Sequence, residues 1–190
     1  MLERPVSFAA MPSGPVRVFI ACSLDGFIAG PDGDLGWLPL PTAEEDFGYG
    51  AHMAGIGALL MGRATYDTIG EHGWDWPYGT TPVLVATSRP LEPLAPTVRA
   101  VSGSPEELVA AAREAAGEAG VYADGGALIR SLVDAGLVDE LVVTVIPVIL
   151  GAGAPLFAGV ATRRQLALRS STTYADGLVQ LRYGLEPAEL

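Results

Sequence analysis

Three short stretches of this chain carry groups suited to holding an anion: "MGRAT" at residues 61–65, "ATSRP" at 86–90 and "ADGGALI" at 123–129. In the first, Gly62 permits a sharp turn and Arg63 offers a guanidinium fork. Ala64 follows, and Thr65 then brings a hydroxyl into the first turn of a helix. Unpaired amides and the positive end of a helix dipole attract anions, and arginine adds bidentate recognition of phosphate. An exposed arginine beside an ordinary helix cap would have the same sequence. The second stretch repeats the theme with the hydroxyls of Thr87 and Ser88 and the charge of Arg89 before Pro90. Alone, it reads equally as a polar loop. The third has no side-chain donor, but Gly125 and Gly126 allow close backbone approach, and the helix opening with Ala127, Leu128 and Ile129 supplies amides. A Gly-Gly turn is common enough to mean nothing by itself. Together the three stretches hold two of the chain's few cations and suit one phosphate-bearing ligand.

Such a site needs elements that bring the three stretches to one edge. "VRVFIACSL" (16–24) is nearly continuous in apolarity, as a strand buried on both faces should be. "ALLMG" runs straight into the helical "RATYDTIG", and "PVLVATS" is another strand. A strand over 97–101 precedes "SPEE", a capping box with proline at the first helical position. A strand over 121–123 then leads to a helix over 127–135, with Leu128, Ile129, Leu132 and Val133 on one face. Thr42 before "AEEDFGYGAHMAG" predicts a further N-cap with acids in the first turn. After Gly136 the pattern becomes strands alone: "DELVVTVIPVIL", "RQLALRSSTTY" and "LVQLRYGL". Alternating strand and helix followed by strands predicts an α/β fold of three layers. A central, mixed but mostly parallel sheet carries helices on both faces and ends in an antiparallel C-terminal edge. In such sheets ligands collect beyond the carboxyl ends of the parallel strands. The expected organisation is a frayed extension over 1–15 and a single domain over 16–185.

Composition narrows the chemistry. All 11 basic residues are arginine, so a Walker-type phosphate loop, a Schiff-base lysine and a pyridoxal-phosphate enzyme are excluded. A net charge of −11 argues against nucleic acid or an anionic membrane as partner. Two histidines and one cysteine assemble no zinc-ligand spacing, so no metal site is expected, and Cys22 reads as a buried, inert thiol. No run approaches the ~20 apolar residues of a membrane span and no sustained signal-peptide core is present, which makes the cytoplasm the expected location.

The ordered set of motifs resembles a known family. "ALLMGRATYDTIG" and "PVLVATSRPL" are similar to successive strands of dihydrofolate reductase, and "IACSLDGFIAG" resembles the opening of the same fold. "VYADGGALIRSLVDAGLVDELVVTVIPVILGAGAPLF" resembles more closely the RibD C-terminal reductases and their bacterial relatives. The resemblance runs from Val16 to Tyr183 and implies a dihydrofolate reductase-like fold that binds NADPH. It implies that Arg63, Ser88 and Arg89, with Thr87 beside them, take the adenosine 2′-phosphate. Gly62, Ala64, Thr65 and the Gly125–Gly126 loop with Ala127, Leu128 and Ile129 would face the pyrophosphate, and Ala21 and Ile28 would border the nicotinamide. Where the family often has three glycines, Asp124 replaces the first, pointing toward the nicotinamide end or capping the helix.

Hydride transfer needs placement more than a nucleophile, but reducing a C=N bond also requires a proton. Asp46 stands 16 residues before Gly62, the spacing at which dihydrofolate reductase keeps its substrate-binding carboxylate. It is the candidate catalytic residue, although the same "AEED" reads as a solvated acidic turn. Trp37 and Phe47 are candidates for the substrate pocket, with Asp124 at its cofactor end. Asp25 reads as a turn former, and Trp74 and Trp76 as a cover for the site or as surface packing. The expected activity is an NADPH-dependent reduction of a small pterin- or pyrimidine-like heterocycle. The alternatives are the riboflavin-pathway reduction of 5-amino-6-ribosylaminouracil phosphate, which needs a further cationic subsite, and a non-catalytic nucleotide-binding relative. The resemblance, with the apolar "VVTVIPVIL" near the sheet edge, points to a homodimer.

Overall fold

The computed structural model describes residues 14–42, 44–73 and 75–185. Most of the expected N-terminal extension, and Trp74 with it, lies outside these. The chain order is β1 (Val16–Ser23), β2 (Phe27–Ala29), α1 (Tyr49–Met53), β3 (Ile56–Gly62), α2 (Arg63–Glu71), β4 (Val83–Ala86) and β5 (Val98–Val101). It continues with α3 (Pro105–Ala116), β6 (Gly120–Asp124), α4 (Gly126–Ala135), β7 (Glu140–Ile146), β8 (Ala154–Pro155), β9 (Leu166–Thr173) and β10 (Val179–Leu185).

Eight strands form one sheet in the order β5-β4-β3-β6-β1-β7-β10-β9. Every pair from β5 through β7 is parallel, and β10 runs antiparallel to both β7 and β9. The run "VVTVI" therefore lies inside the sheet, between β1 and β10, and not near its edge. Its strand stops at Ile146, because Pro147 has no N–H to continue the ladder.

Alternation along the central strands divides the core in two. Ala58 and Leu60 face one side with Val121, Ala123 and the apolar stripes of α3 and α4. Leu59 and Met61 face the other with Val83, Val85 and Tyr66 and Ile69 of α2. Both sides of β3 are thus fully covered, which is why its sequence is continuously apolar. This is the expected three-layer arrangement.

The first helix is shorter than its N-cap signal predicts. Thr42 does accept from the N–H groups of Glu44 and Glu45, but only to close a turn. Phe47 (φ 55°) and Gly48 (φ 81°) take left-handed backbone, so the helix starts only at Tyr49. Asp46 instead supplies the cap, accepting from Gly48 N–H at 2.9 Å and Gly50 N–H at 2.8 Å. A two-stranded ribbon of β2 and β8 crosses in front of the carboxyl ends of the strands.

Candidate active site

The parallel register brings the three marked strand ends together: Met61 pairs with Asp124, and Gly62 with Ala86. A groove of about 600 Å³ opens there. Its walls include Ala21 of β1, Ile28 of the ribbon, Ala64 and Thr65 of α2, and Asp124, Gly125, Gly126 and Ala127 at the junction of β6 and α4. Gly125 has a φ of 106°, and a Cβ there would lie 2.8 Å from Thr65 Oγ1 and 3.2 Å from Gly62 N. The first glycine therefore lets one strand end close on the next. A Cβ on Gly126 would lie 2.8 Å from Ile28 Cδ1, within the groove itself.

Two helices begin at this groove without a side-chain cap: α2 behind Gly62 and α4 behind Gly125. Their first-turn amides have no partner of their own in the helix, so the groove holds two positive helix ends. Leu128 and Ile129 are buried in the core, so neither side chain reaches it, and the Ile129 N–H is already spent on Gly125 O at 2.8 Å. Beside it, Arg63 Nε donates to Asp67 Oδ1 at 2.6 Å, and Nη1 donates to Pro90 O at 2.9 Å and Thr87 Oγ1 at 3.4 Å. Arg89 Nη2 meets the other oxygen of Asp67 at 3.3 Å. Asp67 thus gathers both arginines, while Ser88 lies exposed next to them. Four residues on from Arg63 in a helix, Asp67 was findable as an i,i+4 partner.

Asp124 forms part of the groove floor. Burial pushes its carboxyl up to about 6, against the pull of the Gly125 N–H. Tyr49, Tyr78 and Tyr122 have phenols raised first by burial and then by the Asp124 charge, so all three stay protonated. Tyr122 donates to Phe19 O at 2.9 Å. Tyr122 shares a strand face with Asp124 by alternation, but nothing in the sequence groups Tyr49 and Tyr78 with them. His52, 6% exposed, fills the space behind them between Phe19 and Tyr122. Burial first, then Arg17 and Arg182, lower it to about 4, so it is neutral at pH 7.

A smaller cavity of about 200 Å³ adjoins the groove and shares Phe19, Ala21 and Leu38 with it. Asp46 and Phe47 line this second space, together with Tyr49, Thr144 and Leu178. Asp46 is exposed, and its two backbone donors, Gly50 and then Gly48, hold its carboxyl below its ordinary value. It is therefore ionised and holds no proton near neutrality. Trp37 lines neither space; its indole N–H donates to Asp34 O at 3.1 Å, and Leu35 and Leu38 supply the wall. Trp76 packs against Tyr66 and Tyr78. Asp25 accepts from the N–H groups of Leu150 and Gly151 and from Ser23 Oγ, stapling the loop after β7 to the end of β1. Cys22 is buried, which pushes its thiol up and leaves it unreactive.

A mostly parallel sheet with a groove across its central strand ends places the molecule in the dihydrofolate reductase-like class of three-layer α/β folds. The chain belongs to the RibD C-terminal domain family, whose model matches residues 15–180. It is 30% identical over 166 residues to the uncharacterized protein YwjB of Bacillus subtilis, covering 87% of this chain and 95% of that one. The crystal structure of a putative riboflavin biosynthesis protein from Shewanella sp. PV-4 is 34% identical, with a TM-score of 0.82, over 91% of this chain and 99% of that one. A diaminohydroxyphosphoribosylaminopyrimidine deaminase/5-amino-6-(5-phosphoribosylamino)uracil reductase from Thermotoga maritima shares the fold at 17% identity and a TM-score of 0.68. That match takes in 92% of this chain and 57% of the longer protein.

Among the described residues, no helix is long and apolar enough to cross a membrane.

Proposed function

We propose that this chain is an NADPH-dependent reductase of a small pterin- or pyrimidine-like heterocycle. The observation that carries the reading is the meeting of two bare helix ends with a buried carboxyl of raised pKa in one groove. Membership of a reductase-like family supports the oxidoreductase assignment.

The groove residues fit a dinucleotide phosphate. The amides opening α2 and α4 would hold the pyrophosphate, and Gly126 leaves room for it. Arg63, Arg89 and Ser88 would hold a 2′-phosphate, Arg63 with the Nη2 that donates to no described residue. Ala21 and Ile28 would border the nicotinamide. NADPH supplies the hydride when bound. Reduction of a ring C=N adds that hydride to carbon and a proton to nitrogen. Asp124, whose raised carboxyl exchanges its proton near pH 6, is the group we assign to deliver it, while the charged Asp46 binds the ring edge. The tyrosines and Phe19 keep water from the floor of the groove, where a shielded carboxyl retains its raised pKa.

The riboflavin-pathway reduction named for the Thermotoga relative is the second reading, favoured by the likeness to the Shewanella protein. For either, NADPH should raise the melting temperature more than NADH does, because only NADPH carries the 2′-phosphate. At 100 times Kd the stabilisation is about 2.7 kcal/mol. Equal shifts from the two cofactors would sink the 2′-phosphate assignment. Loss of absorbance at 340 nm with pterins and diaminopyrimidines then reads turnover.

A further inference from the structure

We infer that the smaller cavity selects a flat ring of neutral or positive charge that carries no phosphate, and rejects a phosphoribosyl pyrimidine. This rests on the reductase reading and narrows its substrate. A cavity of about 150 Å³ lined by apolar side chains takes a benzene-sized molecule. At about 200 Å³, between Phe19, Phe47, Leu38 and Leu178, this one suits one or two fused rings.

The charge around it has one sign. Among the described residues Asp46 is the only charged one in its lining, and Glu44 and Glu45 lie exposed beside it. A phosphate would need cations or free amides there. The chain has no lysine, and the nearest arginines belong to the larger groove and its border: Arg63 and Arg89 meet on Asp67 where the 2′-phosphate is assigned, and Arg130 lines the groove with its guanidinium on Pro155 O. Arg17 and Arg182 pair with Glu140, and Arg113 with Asp139. Arg164 is bound to the carbonyls of Val133 and Asp134. Among the described residues, no arginine lines the smaller cavity.

The local amides are also taken. Gly48 and Gly50 N–H point at Asp46, and Phe47 N–H donates to Glu45 Oε1 at 2.8 Å. Even the Gln180 amide is consumed, donating to Phe47 O at 2.9 Å and Thr144 Oγ1 at 3.0 Å. A loop that could have cradled an anion instead presents its own carboxylates, and a phosphate there would meet like charge without compensation.

The test is calorimetric titration of the full chain, with and without NADP⁺, using three probes: a 2,4-diaminopyrimidine, a pterin and a phosphoribosylaminopyrimidine. The unphosphorylated rings should bind at least ~10-fold tighter than the phosphorylated one. Equal or tighter binding of the phosphorylated compound, or no binding of either free ring, would overturn the inference. The NADP⁺ titration reads the reductase assignment separately. If NADP⁺ fails to bind, that assignment falls, while the ring series on cofactor-free protein still decides the pocket's selectivity. Asp46→Asn should lower the affinity for a protonated diaminopyrimidine several-fold while leaving that for NADP⁺ unchanged. An unaltered preference for the cationic ring would remove Asp46 from the argument and overturn its charge selectivity.

Discussion

The helix α3 and the helix α4 begin in opposite ways. At α3, Ser104 Oγ accepts from Glu107 N–H while the Glu107 carboxylate accepts from Ser104 N–H, and Pro105 occupies the first turn. Orphan donors are satisfied reciprocally, in solvent, by the chain itself. At α4 the corresponding position is Gly125, with no side chain to offer, and the residue before it is a carboxylic acid raised to about 6. Both helices sit on the same face of the same sheet, so general helix stability does not explain the difference. The chain caps the end that faces water and leaves bare the end that faces the groove. A glycine in place of a side-chain cap, at a cost of only a few tenths of a kcal/mol, is tolerated where something else is to meet the amides.

The sharpest way to break this comparison is to fill the bare end. Gly126→Leu should reduce NADPH affinity at least ~100-fold, about 2.7 kcal/mol, because the added side chain enters the groove against Ile28. Calorimetric titration on protein with native circular dichroism checks it, and undiminished affinity would move the site elsewhere.

Asp124 gives an effect of similar size in the ligand-free protein. Because burial raises its carboxyl, the folded state keeps this proton to higher pH than the unfolded chain does. The associated stability is complete below the ordinary carboxylate pKa of about 4 and is lost as pH rises through about 6. Relative to Asp124→Asn, the wild type should lose on the order of 2–3 kcal/mol between pH 4 and pH 7 in urea unfolding. Parallel stability profiles for the two proteins would contradict the raised pKa.

Arg63→Ala comes next. It should weaken NADPH binding ~10- to 100-fold and NADH binding little, since a charge-assisted hydrogen bond is worth about 1.5–3 kcal/mol. Equal losses for both cofactors would place Arg63 on the pyrophosphate. The smallest change is the control at the capped end: Ser104→Ala should cost about 1 kcal/mol of stability and leave NADPH affinity untouched. A loss of binding there would mean that the two helix ends are coupled.

The sheet, the parallel core and the three strand ends were legible because each rests on local signals: alternation, capping residues and glycine at turns. The α3 box shows this best, since spacing in four residues dictates its geometry. The first helix was misread for a related reason. Thr42 and the acids that follow carry an N-cap signature, but Phe47 and Gly48 take left-handed backbone, a preference that the signature does not weigh. The substrate side was harder still. Phe19 shares a face with Ala21 by strand alternation and could have been inferred. Thr144 and Gln180 meet the site only through sheet order, and Tyr78 only through the loop between α2 and β4, neither of which one sequence states. Trp37 is the aromatic of its segment, yet its neighbour Leu38 is the one of the two that faces both spaces.

Phe47 carries one last consequence. Its left-handed backbone is held by a hydrogen bond from Gln180, 133 residues further along. All the strands and helices that shape the larger groove, apart from β8, are encoded by Ala135; the bond from Gln180 to Phe47 that sets the wall of the smaller cavity waits for β10. In the reading proposed above, the elements of the reductant site, β8 aside, therefore all precede in the chain the strand that fixes the substrate wall.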